Sequence, residues 1–459
     1  MQRLTGKTVL GLLTAWMIAG TSRATDWPTY GGDARRSGVT DEELALPLSE
    51  AWQHRTHAPR PAWPQPAKQD FWHEQDRLTS SITFDWVMHV TGADGAVFYG
   101  SSANDKVTCL DAASGRVRWF FFTEGPVRLA PSVADGKVYV GSDDGHVYCL
   151  DAGSGQLLWK YRPGPEDRRI PGNGRMISRW PVRTGVLVEA GTAYVGAGVF
   201  PTYGVYLCAL RAADGMELWK RRLGDVSPQG YLLASDTRLY VPSGRTSPAV
   251  FDRRDGRPLG TFHGNRRGGS YALLDKELLV YRGEEEGSLA VSDRDKKERL
   301  ALFRGLHLAV RGPTAFIHSQ NELAALDRQK HFQLARARNR ATARKNDAEK
   351  RIKELRKLGE STGLQKLDGE LTKVRKELDV IREDMERCWI WRQPCAHPHA
   401  LVLTADLLVV GGKDEIAAVR VTDGTVAWKG KVTGKAFGLA VAGGRLFVST
   451  DEGRILCFH

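Results

Sequence analysis

The chain is poor in the residues that mark redox and membrane proteins. It has six cysteines in 459 residues, no two of them adjacent and none in a Cys-x-x-Cys-His arrangement, which excludes covalently attached haem. Beyond residue 24 no stretch is long and apolar enough to cross a bilayer. No cysteine lies near the end of the N-terminal apolar run, so a lipid-anchored form is not expected. Net positive charge is also scarce over most of the chain. Of the net +12, a surplus of +9 falls between Arg328 and Lys357, where 12 Lys and Arg face only Asp347, Glu349 and Glu354. The remainder is close to neutral, which argues against nucleic acid as a partner.

At the N-terminus Arg3 and Lys7 precede the apolar run Thr8 to Gly20, and Ser22-Arg23-Ala24 follows. This pattern predicts a signal peptide over 1–24, cleavage after Ala24 and export to the periplasm or cell envelope. An uncleaved anchor is the alternative, for which the run is short.

The body of the chain repeats itself. VFYGSSANDKVTCLDAASGRVRW from Val97 to Trp119 returns as VYVGSDDGHVYCLDAGSGQLLW from Val138 to Trp159, a period of about forty residues that indicates propellers, solenoids or arrays. The repeat aligns on a small residue, an Asp, a Ser, Thr or Asp, a Gly and a closing Trp. Cys109, Asp111, Ser114, Gly115 and Trp119 fill it, as do Cys149, Asp151, Ser154, Gly155 and Trp159. Further copies have Ala209, Arg211, Asp214, Gly215 and Trp219, and Ala418, Arg420, Asp423, Gly424 and Trp428. Two copies have decayed: one runs from Val250 through Gly256 to Gly260, and Ala290 to Leu300 has lost both Gly and Trp. The Gly permits a tight turn. The Trp supplies a flat anchor able to stack on the turn of a neighbouring sheet.

Aligning the copies predicts an all-β, eight-bladed β-propeller over 81–459. Its blades run roughly over 82–122, 127–162, 176–222, 230–263, 270–304, 306–391, 399–430 and 435–459. The last stops at Cys457-Phe458-His459 with no fourth strand. The orphan strand around Trp52 supplies it, so residues 25–80 are read as a closing strand and a wrapping loop that carries Trp63, Phe71 and Trp72. The sixth blade is interrupted over 328–388. Leu364, Leu367, Leu371, Val374, Leu378, Ile381 and Met385 recur three and four apart, with a weaker seam at Leu334, Ala341, Ala348, Ile352, Leu355 and Leu358. The two seams predict an α-helical coiled-coil hairpin inserted between the third and fourth strands of that blade.

At the repeat residues the chain resembles the quinoprotein alcohol dehydrogenase-like propellers of PQQ-like repeats, whose repeat is called the tryptophan-docking motif. It is also similar to the propeller of the outer-membrane protein assembly machinery, which does no catalysis. For the dehydrogenases the resemblance implies pyrroloquinoline quinone (PQQ), a divalent metal, a general-base Asp and, in many members, an adjacent cysteine pair. That pair is missing here, and Asp111 and Asp151 belong to the repeat itself. No catalytic, cofactor or metal residue is therefore nominated, and no cofactor is expected, with PQQ and a divalent metal as the alternative. The resulting expectation is a non-catalytic scaffold that binds an envelope protein. A quinone-dependent or sugar-acting oxidoreductase, and a binder of small anionic or carbohydrate ligands, stand as alternatives.

Three groups of residues are candidates for those roles. Arg336, Arg338, Arg340, Arg344 and Lys345 on the hairpin would meet an acidic partner. At one mouth of the channel, connecting loops gather Arg175, Arg179, Trp180, Gln229, Tyr231, Arg266, Arg267 and Tyr271, with Arg245 from a turn; arginines among aromatics suit an anionic or carbohydrate ligand. Cys388 and Cys395, with His397 and His399 nearby, could form a local disulfide, a zinc site or free thiols.

Overall fold

The computed structural model describes residues 26–63, 82–172, 174–224, 226–244, 246–262, 269–276, 278–283, 287–295, 298–358 and 363–459. Arg245, Arg266, Arg267, Phe71, Trp72 and the leader over 1–24 lie outside these residues. The chain is mostly β. Six antiparallel four-stranded sheets follow one another along the sequence: Val90–Phe122, Ser132–Tyr161, Leu187–Leu223, Leu233–Thr261, Ala272–Arg304 and His307–Pro394. A seventh sheet has seven strands and contains the long strand Val426–Ala442. The first half of that strand pairs with Lys413–Arg420 and the second half with Arg445–Thr450, so two four-stranded units share it.

The final strand of this sheet comes from the other end of the chain. Glu50–Arg55 pairs antiparallel with Arg454–Phe458, from Glu50 opposite Phe458 to Arg55 opposite Arg454. Covering that edge removes a row of unpaired backbone groups that would otherwise invite association.

Inner strands are buried on both faces because a sheet packs on either side of them. Ala96–Ser101 and Leu407–Gly411 are wholly buried, and their near-continuous apolar sequences reflect it. Fourth strands lie at the rim, where Phe120 and Phe122 stand 56% and 62% exposed.

One β-bulge recurs at the same place in every unit. It falls at Cys109/Leu110, Cys149/Leu150, Ala209/Leu210, Val250/Phe251, Val291/Ser292, Ala325/Leu326 and Ala418/Val419, and again opposite Cys457. A bulge re-aims the side chains that follow it. Here it turns the Trp onto the next sheet. The Trp119 indole N–H donates to the Ala152 carbonyl at 2.9 Å, and a Cβ on Gly155 would sit 2.5 Å from the ring. Trp159 meets Ala212 and Gly215, Trp219 meets Arg253 and Gly256, and Trp391 meets Val421 and Gly424 in the same way. Trp428 donates to Leu48, and Trp52 closes the circuit on Ala112 and Gly115.

Helices α1 (Arg328–Leu358) and α2 (Leu364–Glu386) lie between the third and fourth strands of the sixth sheet. Their outer halves pack on each other through Ala348, Ile352, Leu367 and Leu371, with Leu358 left 71% exposed. Their roots pack on the propeller instead: Phe332, Ala335, Ala341, Val374, Ile381 and Met385 share one core with Leu289, Leu300, Phe303 and Leu308.

Residues 26–48, legible in the sequence only as a turn-rich lead-in, cross the inner strands of most sheets. Trp27 bridges to Gly92, Pro28 accepts from Val133, Ala34 from Ala234 and Arg35 from Leu274. Val39 bridges to Leu403, and the Glu42 carboxylate accepts from the Gly443 and Gly444 amides. This segment plugs the channel.

Candidate functional site

The loop residues expected at the channel mouth divide into two groups. Arg175 is held by the Asp105 carboxylate and the Ala103 carbonyl, within a short hairpin of Arg169–Gly172 and Arg175–Ser178. The Arg179 guanidinium lies 3.7 Å from the centre of the Tyr203 ring, and buried Trp180 donates to the Tyr203 carbonyl at 3.0 Å. Arg175 thus ties the loop to the first sheet, and Arg179 and Trp180 pack it on the turn at Pro201–Tyr203. Tyr231 and Tyr271 face inward. Tyr231 stacks on Tyr30 of the plug with centroids 3.8 Å apart and planes at 4°, and its hydroxyl accepts from the Ala130 amide at 2.8 Å. Tyr271 accepts from the Leu308 amide and meets His307 edge-on. Gln229 is buried nearby, its amide N–H bonded to the Pro242 carbonyl.

The interior beside the plug segment is therefore lined with aromatic rings. Arg36 of the plug donates to the Leu232 and Tyr30 carbonyls and to the Thr29 hydroxyl. His89 stands edge-on to Tyr30 at 4.9 Å, and burial pushes it down to about 4. His307 and His318 stack at 5.6 Å. Burial holds His307 well below its ordinary value and His318 down at about 4. All three are neutral imidazoles at physiological pH.

A second cluster left no signal in the sequence because its members are far apart in the chain. Arg128 donates to Asp143 at 2.6 Å and to Asp85 at 3.0 Å, and Arg183 donates to the same Asp143 at 3.1 Å. The Ala62 amide and the Arg60 carbonyl join this network. Burial raises the Asp143 carboxyl, but the two guanidinium groups outweigh it and hold it below its ordinary value. The cluster ties segment 59–63 and the residues before the first sheet to the second and third sheets. All its charges are paired, as a structural clamp requires.

The cysteine alternatives resolve against a bridge. All six cysteines are free and buried. Cys388 donates to the Asp384 carbonyl at the end of α2, whereas Cys395 lies between His318 and His397, with Sγ 3.8 and 4.0 Å from their ring nitrogens. His397 turns its other nitrogen to Glu415 at 2.9 Å, and His399 packs on Phe437. Among the described residues no group of three His, Cys, Asp or Glu side chains is arranged to hold a metal ion. The zinc alternative fails because Cys388 ends a helix while Cys395 follows the next strand.

Most of the hairpin's basic residues are already engaged. Arg336 pairs with Asp293 at 3.1 Å, Arg338 donates to the Leu300 carbonyl, Arg344 pairs with Glu377 at 2.6 Å and Lys345 with Glu349 at 3.5 Å; Arg340 is exposed. Beneath the hairpin root lies a cleft of about 660 Å³. Its floor is Leu302, Phe303, Ile317, Leu378, Met385 and Trp389, and its rim carries Arg304, Arg338, Arg382 and Arg392 with Glu322 and Glu386. His331 reaches into it, 6% exposed, with Nδ1 lacking a partner.

Repeated four-stranded sheets joined Trp to Gly around a plugged axis define a β-propeller of PQQ-like repeats. The comparisons agree on that fold. A family model described as outer membrane protein assembly factor BamB matches residues 49–179 and 382–459, just under half of the chain. Quinohemoprotein alcohol dehydrogenase ADHIIG from Pseudomonas putida HK5 is similar with a TM-score of 0.60 at 12% identity, covering 95% of this chain and 80% of that one. The quinohemoprotein alcohol dehydrogenase from Comamonas testosteroni has the same TM-score, identity and coverages. The computationally designed Ika8 protein is similar with a TM-score of 0.56 at 12% identity, over 83% of this chain and 99% of its own. Among curated proteins none matches the chain. No helix of the described residues is long and apolar enough to cross a membrane.

Proposed function

We infer that this is an exported, eight-bladed PQQ-like propeller that binds a protein partner in the bacterial cell envelope and does no redox chemistry. The leader over 1–24 addresses it there, residues 25–80 close and wrap it, and the hairpin inserted in blade six is the partner-binding element. The observation that carries this reading is the hairpin cleft. Inside the propeller Tyr30 stacks on Tyr231 beside Arg36, while a cleft that mixes apolar side chains with four arginines opens where the hairpin leaves the blades. An apolar floor with a polar rim is the anatomy of a recognition surface. The match to a model of an outer membrane assembly factor is in keeping with it.

PQQ fits the interior poorly. The Tyr30–Tyr231 stack lies in the interior, and the described residues offer no grouping of three His, Cys, Asp or Glu side chains for a divalent metal. A calcium-dependent, stoichiometric PQQ titration accompanied by dye-linked alcohol oxidation would overturn the non-redox reading.

The partner reading is tested by capture from envelope extract. The intact chain is compared with one in which a short Gly-Ser turn replaces residues 329–387, removing the hairpin and its side of the cleft, with circular dichroism checking that the blades still close. Capture of one defined protein by the intact chain alone supports the hairpin as the binding element. Identical captures by both, or none by either, overturn it.

A further inference from the structure

We propose that the cleft beneath the hairpin root is a docking groove for an extended segment of the partner protein that carries apolar side chains flanked by carboxylates; this rests on reading the hairpin as the partner-binding element. Four observations point to that chemistry.

The floor is apolar and Leu302 within it is 42% exposed, so the groove has hydrophobic surface to cover. The rim is cationic. Arg392 is held by Glu322 at 3.0 Å and Arg382 by Asp379 at 3.0 Å, but Arg338 donates to a neutral carbonyl, and Arg304 is an exposed cation beside Leu302. Guanidinium groups pair well with carboxylates in a half-buried setting because they present a planar fork of donors and are weakly hydrated.

The third observation is His331. It is more than nine-tenths buried, and its Nδ1 makes no hydrogen bond although it lines the groove. Burial holds it neutral, down at about 4, and its enclosed Nδ1 gains a hydrogen bond once a small shift of the groove lining lets a donor or acceptor reach it.

The fourth favours a peptide over a compact ligand. The groove runs between the fourth strands of two sheets, Arg299–Arg304 and Trp389–Pro394, each the last strand of its sheet. Asn339 and Arg338 of α1 cover the Arg299 and Leu300 carbonyls. Beyond them this outer strand continues through Leu302 and Arg304, both exposed, the kind of edge along which an extended main chain can lie.

The probes are a fluorescein-labelled hexapeptide Glu-Leu-Asp-Phe-Glu-Leu and its counterpart with lysine at each acidic position, read by fluorescence anisotropy against the full exported chain. The acidic peptide is expected to bind saturably and the lysine peptide not to bind. Leu302→Glu and Arg304→Glu each weaken binding at least tenfold without moving the melting temperature, because both side chains are exposed. No binding by the wild type, equal binding of the two peptides, or equal affinity in the variants overturns the groove. His331→Phe keeps the ring shape and removes the nitrogen; it lowers affinity severalfold while the melting temperature holds or rises, and unchanged affinity overturns the role given to His331. Capture from extract separates the two readings. If the Leu302→Glu chain keeps the partner that the chain without residues 329–387 loses, the groove is wrong and the hairpin reading stands.

Discussion

The junctions between sheets are made in two ways. At six of them a Trp from one fourth strand lies on the turn of the next unit or, for Trp428, on the closing segment, and its N–H reaches a backbone carbonyl. From the fourth sheet to the sixth the Trp is gone: Gly260 pairs in its place, and so does Ala301, one residue beyond the Leu300 that the sequence alignment put there. Between the fifth and sixth sheets the turn that should receive it has become a helical hairpin. The root of that hairpin replaces the anchor. Phe332 and Ala335 share one core with Ala301, the residue in the Trp's place, and Arg336, Arg338 and Asn339 bond to Asp293, Leu300 and Arg299. The repeat geometry survives beneath the lost motif, since the bulge at Val291/Ser292 matches the one at Cys109/Leu110. An interface in a repeat protein is thus a requirement for buried area and satisfied carbonyls, and a different element can meet it.

Breaking the circuit at its seam is expected to have the largest effect. Deleting residues 50–55 removes both the closing strand and the Trp52 anchor. The expected outcome is loss of near-UV circular dichroism and a shift to aggregates in size-exclusion chromatography. Next come the anchors themselves. Trp119→Ala should cost about 3–5 kcal/mol in urea unfolding. Phe332→Ala should cost about 3 kcal/mol if the hairpin root stands in for an indole, and a loss under about 1 kcal/mol would show that it does not.

The glycine turns sharpen the same point with smaller effects. At Gly155, φ is +74° and the ring of Trp119 leaves no room for a methyl group, whereas Gly136 has φ +69° and open space. Gly136→Ala then measures backbone strain alone, about 1 kcal/mol, and Gly155→Ala should exceed it clearly in the same assay.

A further effect depends on pH. His89, His318 and His331 sit near 4, and His307 well below its ordinary value, so between about 4 and 6.5 the unfolded chain binds protons that the folded chain does not. Stability is therefore whole above 6.5 and falls as the pH drops, by up to about 1.4 kcal/mol per pH unit for each group. His331→Phe should shallow that slope, which thermal melts across this range would show.

The PQQ-like repeat was readable because each copy is local: a small residue, an Asp, a turn Gly and a Trp within eleven positions, in a period long enough to count. The two helices were readable for the same reason, through Leu367, Leu371, Val374 and Ile381. The candidate sites were less so. Arg175 and Arg179 pointed to a ligand by type alone, and the structure gives them Asp105 and the Tyr203 ring. Sequence pairing could not foresee that Arg336 would meet Asp293 or Arg344 would meet Glu377. His331 carried no local signal, since it is one residue on an amphipathic helix.

By itself the sequence determined the repeat, the turns and the anchors, because periodicity and glycine placement act over a few residues. Only the tertiary structure decided that residues 26–48 plug the channel, that Arg128, Arg183, Asp85 and Asp143 lock together, and that the hairpin lies down on the blades to open a cleft. Those outcomes depend on groups dozens to hundreds of positions apart meeting in a buried place, where charge must be paired and apolar surface covered, and no local pattern encodes such a meeting.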